Sequence, residues 1–286
     1  GIVVGVARLS TNWLVNRIAA AYVELMRNTP LLVQLVLIYF AVLLQLPSIA
    51  NTLSLPGSIY LNQRGVFLPA PVFTPTFVTW LIFAGIGIAI LIGTWKAARR
   101  LEESGRPSYR LRTIGILALL AVPVIGFLLV SPVEMNLPVQ GNFNFSGGMA
   151  LSPEFTARLA GRVFYTAAFI GEVVRGGIQA VRRGQTEAAR ALGLSEGQTL
   201  RLIVFPQALR IIVPPLTSQY LNLAKNSSLA IAIGYPDLFK VGTTISNQTG
   251  QPVAVIVLVM GTYLAISLVT SLFMNLYNRR VQVLER

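Results

Sequence analysis

The chain has 286 residues, 54% of them hydrophobic and 12% charged, with a formal net charge of +13. A soluble domain carries about 25% charged residues, so half that share, together with long uncharged apolar runs, marks an integral membrane protein. The absence of Cys and His excludes disulfides, thiolate nucleophiles, histidine bases and Cys/His zinc sites, and the basic excess fits cytoplasmic loops better than nucleic-acid contact.

The chain opens on the apolar stretch Gly1–Ala7 with no basic segment before it. It is therefore not a signal peptide and reads as the end of an upstream membrane helix. Its GIVVG pattern has the small-xxx-small spacing of associating membrane helices, a weak signal by itself. A bilayer core of about 30 Å needs roughly 20 apolar residues as helix. Six candidate spans follow, Pro30–Leu46, Phe77–Trp95, Thr113–Val133, Leu159–Ala180, Arg210–Gly234 and Pro252–Tyr277. The first extends back through the amphipathic stretch Leu14–Met26. The fourth carries Arg162, Glu172 and Arg175, and the fifth is interrupted by Pro214, Pro215 and Lys225. The expected fold class is an all-α integral membrane protein with about six transmembrane helices plus the end of an upstream one.

Loops rich in basic residues alternate with poor ones. Residues 1–29, 96–112, 181–210 and the tail with Arg279, Arg280 and Arg286 are rich; 47–76 holds only Arg64, 134–157 none and 235–251 only Lys240. The rich set faces the cytoplasm, which puts the C-terminus there too. The outer loops are rich in turn residues, as in LPGS at Leu55–Ser58 and SGGMALSPEF at Ser146–Phe155, and too short for a separate domain.

One cytoplasmic stretch, TEAARALGLSEGQTLRLIVFPQALR at Thr186–Arg210, is unusually polar. Glu187–Leu192 are strong helix formers, and Gly193 is a fitting C-terminal stop. Ser195 with Gln198 three residues later resembles a capping box that starts a second helix running on into the next span. A short helix on a sharp glycine turn suits insertion into a groove on a soluble partner. The alternative is an amphipathic helix resting on lipid headgroups.

The order Glu187-Ala188-Ala189, Gly193, Ile203 and Pro206 resembles the EAA signature of ABC importer permeases, with Phe205 where leucine is commoner. YVELMRNTPLLVQL at Tyr22–Leu35 and AAFIGEVVRGGIQAVRRGQTEAARALGLS at Ala167–Ser195 are similar to the polar amino acid branch of that family, with Asn28 replacing the usual glycine. The resemblance covers roughly 14–46 and 153–277. Compact members lack the stretch Phe77–Val133, which here adds a helical hairpin. That longer layout, with LSPEF and LNLAKNSSLAIAIGYPDL, resembles the general L-amino acid and glutamate/glutamine/aspartate/asparagine permeases.

The resemblance implies a type I ABC importer permease fold, with 1–286 as a single transmembrane domain, 77–133 as an inserted hairpin and 181–210 as the coupling loop. It implies docking of Glu187, Ala188, Ala189 and Gly193 on an ATPase subunit. It also implies a pair of ATPase subunits carrying ATP and Mg, a second, homologous permease subunit, a periplasmic substrate-binding protein and a bacterial inner-membrane, multi-pass location. The expected function is import of polar L-amino acids, and the chain itself is not expected to be an enzyme.

The residues agree with that division of labour. None of Lys96, Lys225 and Lys240 follows a glycine-rich loop ending Gly-Lys-Ser/Thr, so no Walker A site is present. No catalytic constellation, cofactor or metal ligand set is expected in this chain. Charge within a span is costly. Glu172 and Arg175, three apart, form either an internal ion pair or a substrate contact. Glu24 and Arg27 read as a cytoplasmic surface pair. Lys225 has no acid within four residues and sits among Asn222, Asn226, Ser227 and Ser228 after the two prolines. Polar groups beside interrupted helix are where transporters hold substrate; the alternative is a lysine that snorkels to the interface. An ion-coupled secondary transporter is the competing reading. It needs no EAA loop and usually has a carboxylate relay, whereas only Glu172 lies within a span here.

Overall fold

A computed structural model describes residues 1–141 and 144–282. Arg286 and the end of the basic tail lie outside the described residues, as does the side chain of Arg280. By its internal contacts the chain divides into two compact units, one of Gly1–Leu46, Gln63–Gly65 and Ser152–Arg286 and one of Pro47–Asn62 and Val66–Leu151.

The first unit begins with α1 (Ile2–Ala7) and α2 (Trp13–Asn28). Asn12 caps α2 by accepting from the Leu14 and Val15 amides at 3.0 and 3.2 Å. Then α3 (Leu31–Val36) continues through wider π-type turns over Leu37–Leu43. The sequence suggested one span running back from Pro30 through Leu14–Met26. Instead α2 and the helix from Leu31 meet at 106°. Pro30 lacks an N–H and pushes the residue before it out of the helical region; Thr29 is accordingly extended at φ −111°, ψ 136°. Gln34 sutures the bend, its Nε2 donating to Met26 O at 3.0 Å and Thr29 Oγ1 at 2.7 Å. Carbonyls freed by the bend are thus satisfied away from water.

The second unit contains most of the loop strands and a helical hairpin. β1 (Leu53–Leu55), β2 (Ile59–Asn62), β3 (Gly65–Leu68) and, later in the chain, β8 (Met149–Leu151) form one sheet in that order; β4 (Ala70–Phe73) pairs with β5 (Val133–Asn136), and β6 (Val139–Gln140) with β7 (Phe145–Ser146). Turn-rich loops have therefore become short antiparallel ribbons, which satisfy their backbone groups among themselves. Between them run α4 (Phe77–Glu103) and α5 (Tyr109–Val130), antiparallel and joined by a five-residue turn at 104–108 in which Gly105 has φ +72°. A side chain at Gly126 would meet the Phe83 ring at 2.5 Å; small residues let the two backbones approach. At the far end Thr76 Oγ1 donates to Val130 O at 2.7 Å, closing the last turn of α5.

The first unit resumes with α6 (Pro153–Gln179), which Ser152 caps through the Phe155 amide at 3.2 Å. Small residues make it the central helix. Ala157, Gly161, Ala168, Gly171 and Gly177 are all buried. At Gly161 an added Cβ would strike Leu35, at Gly171 Val4, and at Gly177 Ile212. The opening GIVVG pattern is used here: a Cβ at Gly5 would lie 2.7 Å from Gly171 O, so α1 packs tightly on α6 within the chain. Next come α7 (Arg183–Ala191) and α8 (Glu196–Thr199), then π-type turns over Leu200–Val204 leading into α9 (Phe205–Lys225). Contrary to the sequence reading, Pro214 and Pro215 do not break α9, which runs through both. Burial of Ala208, Ile212 and Val213 on that helix, with Ile212 and Ala208 packed against Val174 of α6, offsets the lost N–H donors. The change comes later, as a 3-10 segment over Asn226–Ile233 ending at Gly234 with φ +77°. Finally α10 (Leu238–Thr249) is capped by Asp237, and α11 (Pro252–Gln282) closes the unit.

Among the described residues, four helical stretches are long and apolar enough to cross a membrane: Phe77–Glu103, Tyr109–Val130, Glu196–Ile233 and Pro252–Arg279. The pair Trp13–Asn28 with Leu31–Leu43, bent by 106°, passes only with its two halves taken together and makes a fifth if it is one broken span. The remaining expected span, Leu159–Ala180, lies almost wholly within α6 and has ample length, but it carries Arg162, Glu172 and Arg175. The membrane-protein class of the fold stands.

Candidate functional site

The polar loop folds as its punctuation demands. Leu192, Gly193 and Leu194 donate their amides to Ala188 O, Arg190 O and Ala189 O at 3.1, 2.9 and 3.1 Å, and close the end of α7. Gly193 has φ +79°, and nothing lies within 4 Å of where its Cβ would stand. Glycine is favoured there by backbone conformation, not by space. The capping box is complete: Ser195 Oγ accepts from Gln198 N at 3.3 Å and Gln198 Oε1 from Ser195 N at 2.9 Å. Ala189 is buried, whereas Glu187, Ala188 and Gly193 are exposed. Leu192 is 82% exposed at the tip. An ion pair at 3.3 Å joins Arg190 to Glu196 across the turn. The element is thus a short helix with one buried foot, a fixed left-handed turn, and a second helix continuous with α9. The second helix runs on without a break from Glu196 to Ile233, so the loop is joined directly to α9.

A cavity of about 560 Å³ lies between α6 and α9 in the same unit. Its lining is mostly apolar, including Phe155, Leu159, Tyr220 and Leu223, but Arg158 and Arg162 enter it one helical turn apart. Arg162 donates to Leu223 O, while its Nε is buried without a partner among the described residues. Arg158 lies over the Tyr235 ring, 4.3 Å from its centroid, a cation–π geometry. Nearby, Tyr263 OH is 3.2 Å from Ser227 Oγ and 3.5 Å from Asp237 Oδ2, and Asp237 is buried.

The residues expected to bind substrate are not gathered in that cavity. Tyr220 and Leu223 are the α9 side chains that line it, whereas Asn222 and Lys225 are exposed and line no part of it. Ser227 is engaged with Tyr263, and Ser228 Oγ donates to Lys225 O at 3.2 Å. Asn226 is half-buried beside them. Glu172 does pair with Arg175, whose Nε lies 3.0 and 3.1 Å from its two oxygens, and a second cation, Arg8, approaches to 3.7 Å. The sequence reading missed Arg158, Tyr235 and Asp237. The available signal was two arginines four apart, Arg158 and Arg162, in the first turns of α6. Among the described residues no cluster of three or more potential metal ligands occurs.

Long apolar helices, a capped polar loop continuous with one of them and a cavity between two of them define a membrane-embedded transport component. A family profile for the binding-protein-dependent transport system inner membrane component matches residues 1–283. The chain belongs to that family, whose members are inner-membrane permease components rather than enzymes. Its relatives include the general L-amino acid transport system permease protein AapQ of Rhizobium johnstonii, 45% identical over 100% of this chain and 72% of that protein. The putative amino-acid ABC transporter permease protein YhdX of Escherichia coli is 42% identical over 100% of this chain and 73% of its own length. The glutamate/glutamine/aspartate/asparagine transport system permease protein BztB of Rhodobacter capsulatus is 39% identical, covering 98% and 73%. A crystal structure of an amino acid ABC transporter with histidines shares the fold, with a TM-score of 0.56 and 21% identity over 98% of this chain and 82% of that one. The resemblance read from the EAA-type spacing holds at the level of family and of the named relatives.

Proposed function

We propose that this chain is one transmembrane subunit of an ATP-driven importer of polar L-amino acids of the glutamate, glutamine, aspartate and asparagine type or broader. Its partners are a pair of ATPase subunits that carry ATP and Mg, a second homologous permease and a periplasmic binding protein. The tail after α11 is cytoplasmic.

The observation that carries this reading is the docking element. A polar helix with exposed Glu187 and Ala188, stopped at Gly193 and continuous through Ser195 with α9, is built to receive force from a soluble protein. A secondary transporter has no use for it. Substrate class is supported by the names of the relatives and by the cavity. An amino acid carries a carboxylate whatever its side chain, and water around that carboxylate must be replaced inside the membrane. Arg158 and Arg162 supply the matching cations, and we place the anionic end of the substrate between them. Lys225 and Asn222, on the exposed side of α9, belong to the same pathway where a second permease covers it.

The test is uptake into proteoliposomes that contain this chain with its co-purified partners and the binding protein. Uptake of glutamate or glutamine should require ATP hydrolysis and persist when proton and sodium gradients are collapsed. Uptake driven by an ion gradient without ATP would establish the secondary transporter instead.

A further inference from the structure

The hairpin of α4 and α5 ends in a cation cluster that lies outside the docking loop and the Arg158–Arg162 cavity. Lys96, Arg99 and Arg100 share one face of the last turns of α4 by their i, i+3, i+4 spacing. Arg106 and Arg110 follow in the turn and at the start of α5, and all of these residues are exposed. Their acidic neighbours leave most of this charge uncancelled. Glu102 is held by Arg112 at 2.8 Å and accepts from Ser108, leaving Glu103 as the other carboxylate in the turn. Among the described residues, none of Lys96, Arg99, Arg100, Arg106 and Arg110 forms an ion pair.

The depth of the cluster is set by the helix. The uncharged stretch Phe77–Trp95 rises about 28 Å at 1.5 Å per residue, close to the roughly 30 Å thickness of the hydrocarbon core. Lys96 therefore emerges at the level of lipid headgroups. Trp95 and Tyr109, both exposed, stand at that level as interfacial aromatics do. The rest of this chain covers little of the hairpin, with 6% of the apolar window of α4 and 11% of that of α5 buried, and an uncharged apolar face of this length suits contact with lipid. Beside the cations lies a groove of about 520 Å³ lined by Gly93, Lys96, Ala97, Arg100, Leu101 and Ser104. Its cations match a phosphodiester, and its small and apolar side chains leave room for the first carbons of an acyl chain.

We propose that Lys96 and Arg100, supported by Arg99, Arg106 and Arg110, bind the headgroup phosphate of an anionic phospholipid at the end of the α4–α5 hairpin. Free inorganic phosphate shares the charge but lacks the acyl chains that hold the headgroup at this depth.

The purified transporter is compared in nanodiscs of phosphatidylcholine with and without phosphatidylglycerol, and retained lipid is counted by native mass spectrometry after mild delipidation. Phosphatidylglycerol should be retained preferentially. Each surface cation contributes about fivefold to anionic lipid association, so Lys96→Gln with Arg100→Gln should lower retention about 25-fold. Lys240→Gln should not change it, and the charge-conserving exchange Lys96→Arg with Arg100→Lys should preserve it. Inorganic phosphate that displaces the lipid at equal charge concentration would overturn the proposal in favour of a soluble anion site. Equal retention of both lipids, with loss of a protein partner from the double variant, would overturn it in favour of a protein contact.

Discussion

Arg162 keeps one N–H on Leu223 O, and among the described residues its buried Nε has no partner, a costly arrangement unless something anionic arrives. Replacing it with methionine removes the charge and keeps much of the volume. Arg162→Met should lower amino acid uptake at least tenfold, while the ATPase still co-purifies; unchanged kinetics would remove Arg162 from the pathway. Lys225 offers a contrast, because it is exposed and has no ion-pair partner among the described residues. Lys225→Met should also reduce uptake with assembly intact, but less, since an exposed charge is already solvated. Normal transport by this variant would make Lys225 a snorkelling residue. At this scale the sequence supplied residue types and spacing. It marked Glu172 with Arg175 as a pair, but could not show that Arg8 joins them, because Arg8 follows α1 and arrives only by tertiary packing.

At the scale of elements, the conformation of the polar loop at 183–199 was legible almost residue by residue. Helix formers, an αL glycine and a capping box are local interactions within a few residues, and each recurs in the fold. Gly193→Val places a β-branched side chain at φ +79°, at a local cost of about 1–3 kcal/mol. It should abolish transport-coupled ATP hydrolysis while Gly193→Asn, which tolerates that conformation, retains much of it. Glu187→Arg should reduce ATPase co-purification without affecting membrane insertion; full uptake and full co-purification would rule out docking at this residue. Packing between helices was less legible. Gly177 has Ile212 at 2.3 Å from its would-be Cβ, so Gly177→Val must force α6 and α9 apart. It should destabilise the protein by about 1–3 kcal/mol through overpacking, visible as a lower thermal unfolding midpoint in detergent. The break expected at Pro214 and Pro215 was misread for the same reason, since propensity sees the missing donors and not the buried contacts that outweigh them.

For the whole molecule, the topology proposed from basic residues is directly measurable, because the chain has no cysteine. A single cysteine at Ser104, exposed in the turn between α4 and α5, should resist an impermeant thiol reagent added to intact spheroplasts and react after lysis. Labelling before lysis would reverse the assignment of the hairpin. The sequence by itself determined the membrane class, the apolar helices and the helix–glycine turn–helix conformation of the polar loop, because hydropathy, capping and glycine turns act over short stretches of chain. Only the tertiary structure decided the 106° bend sutured by Gln34, the route of α9 through its prolines and the cavity where Arg158 and Arg162 converge. Those features depend on which helix faces meet across distant parts of the chain. Small residues such as Gly171 and Gly177 carry little signal until the helix that fills the space beside them is in place.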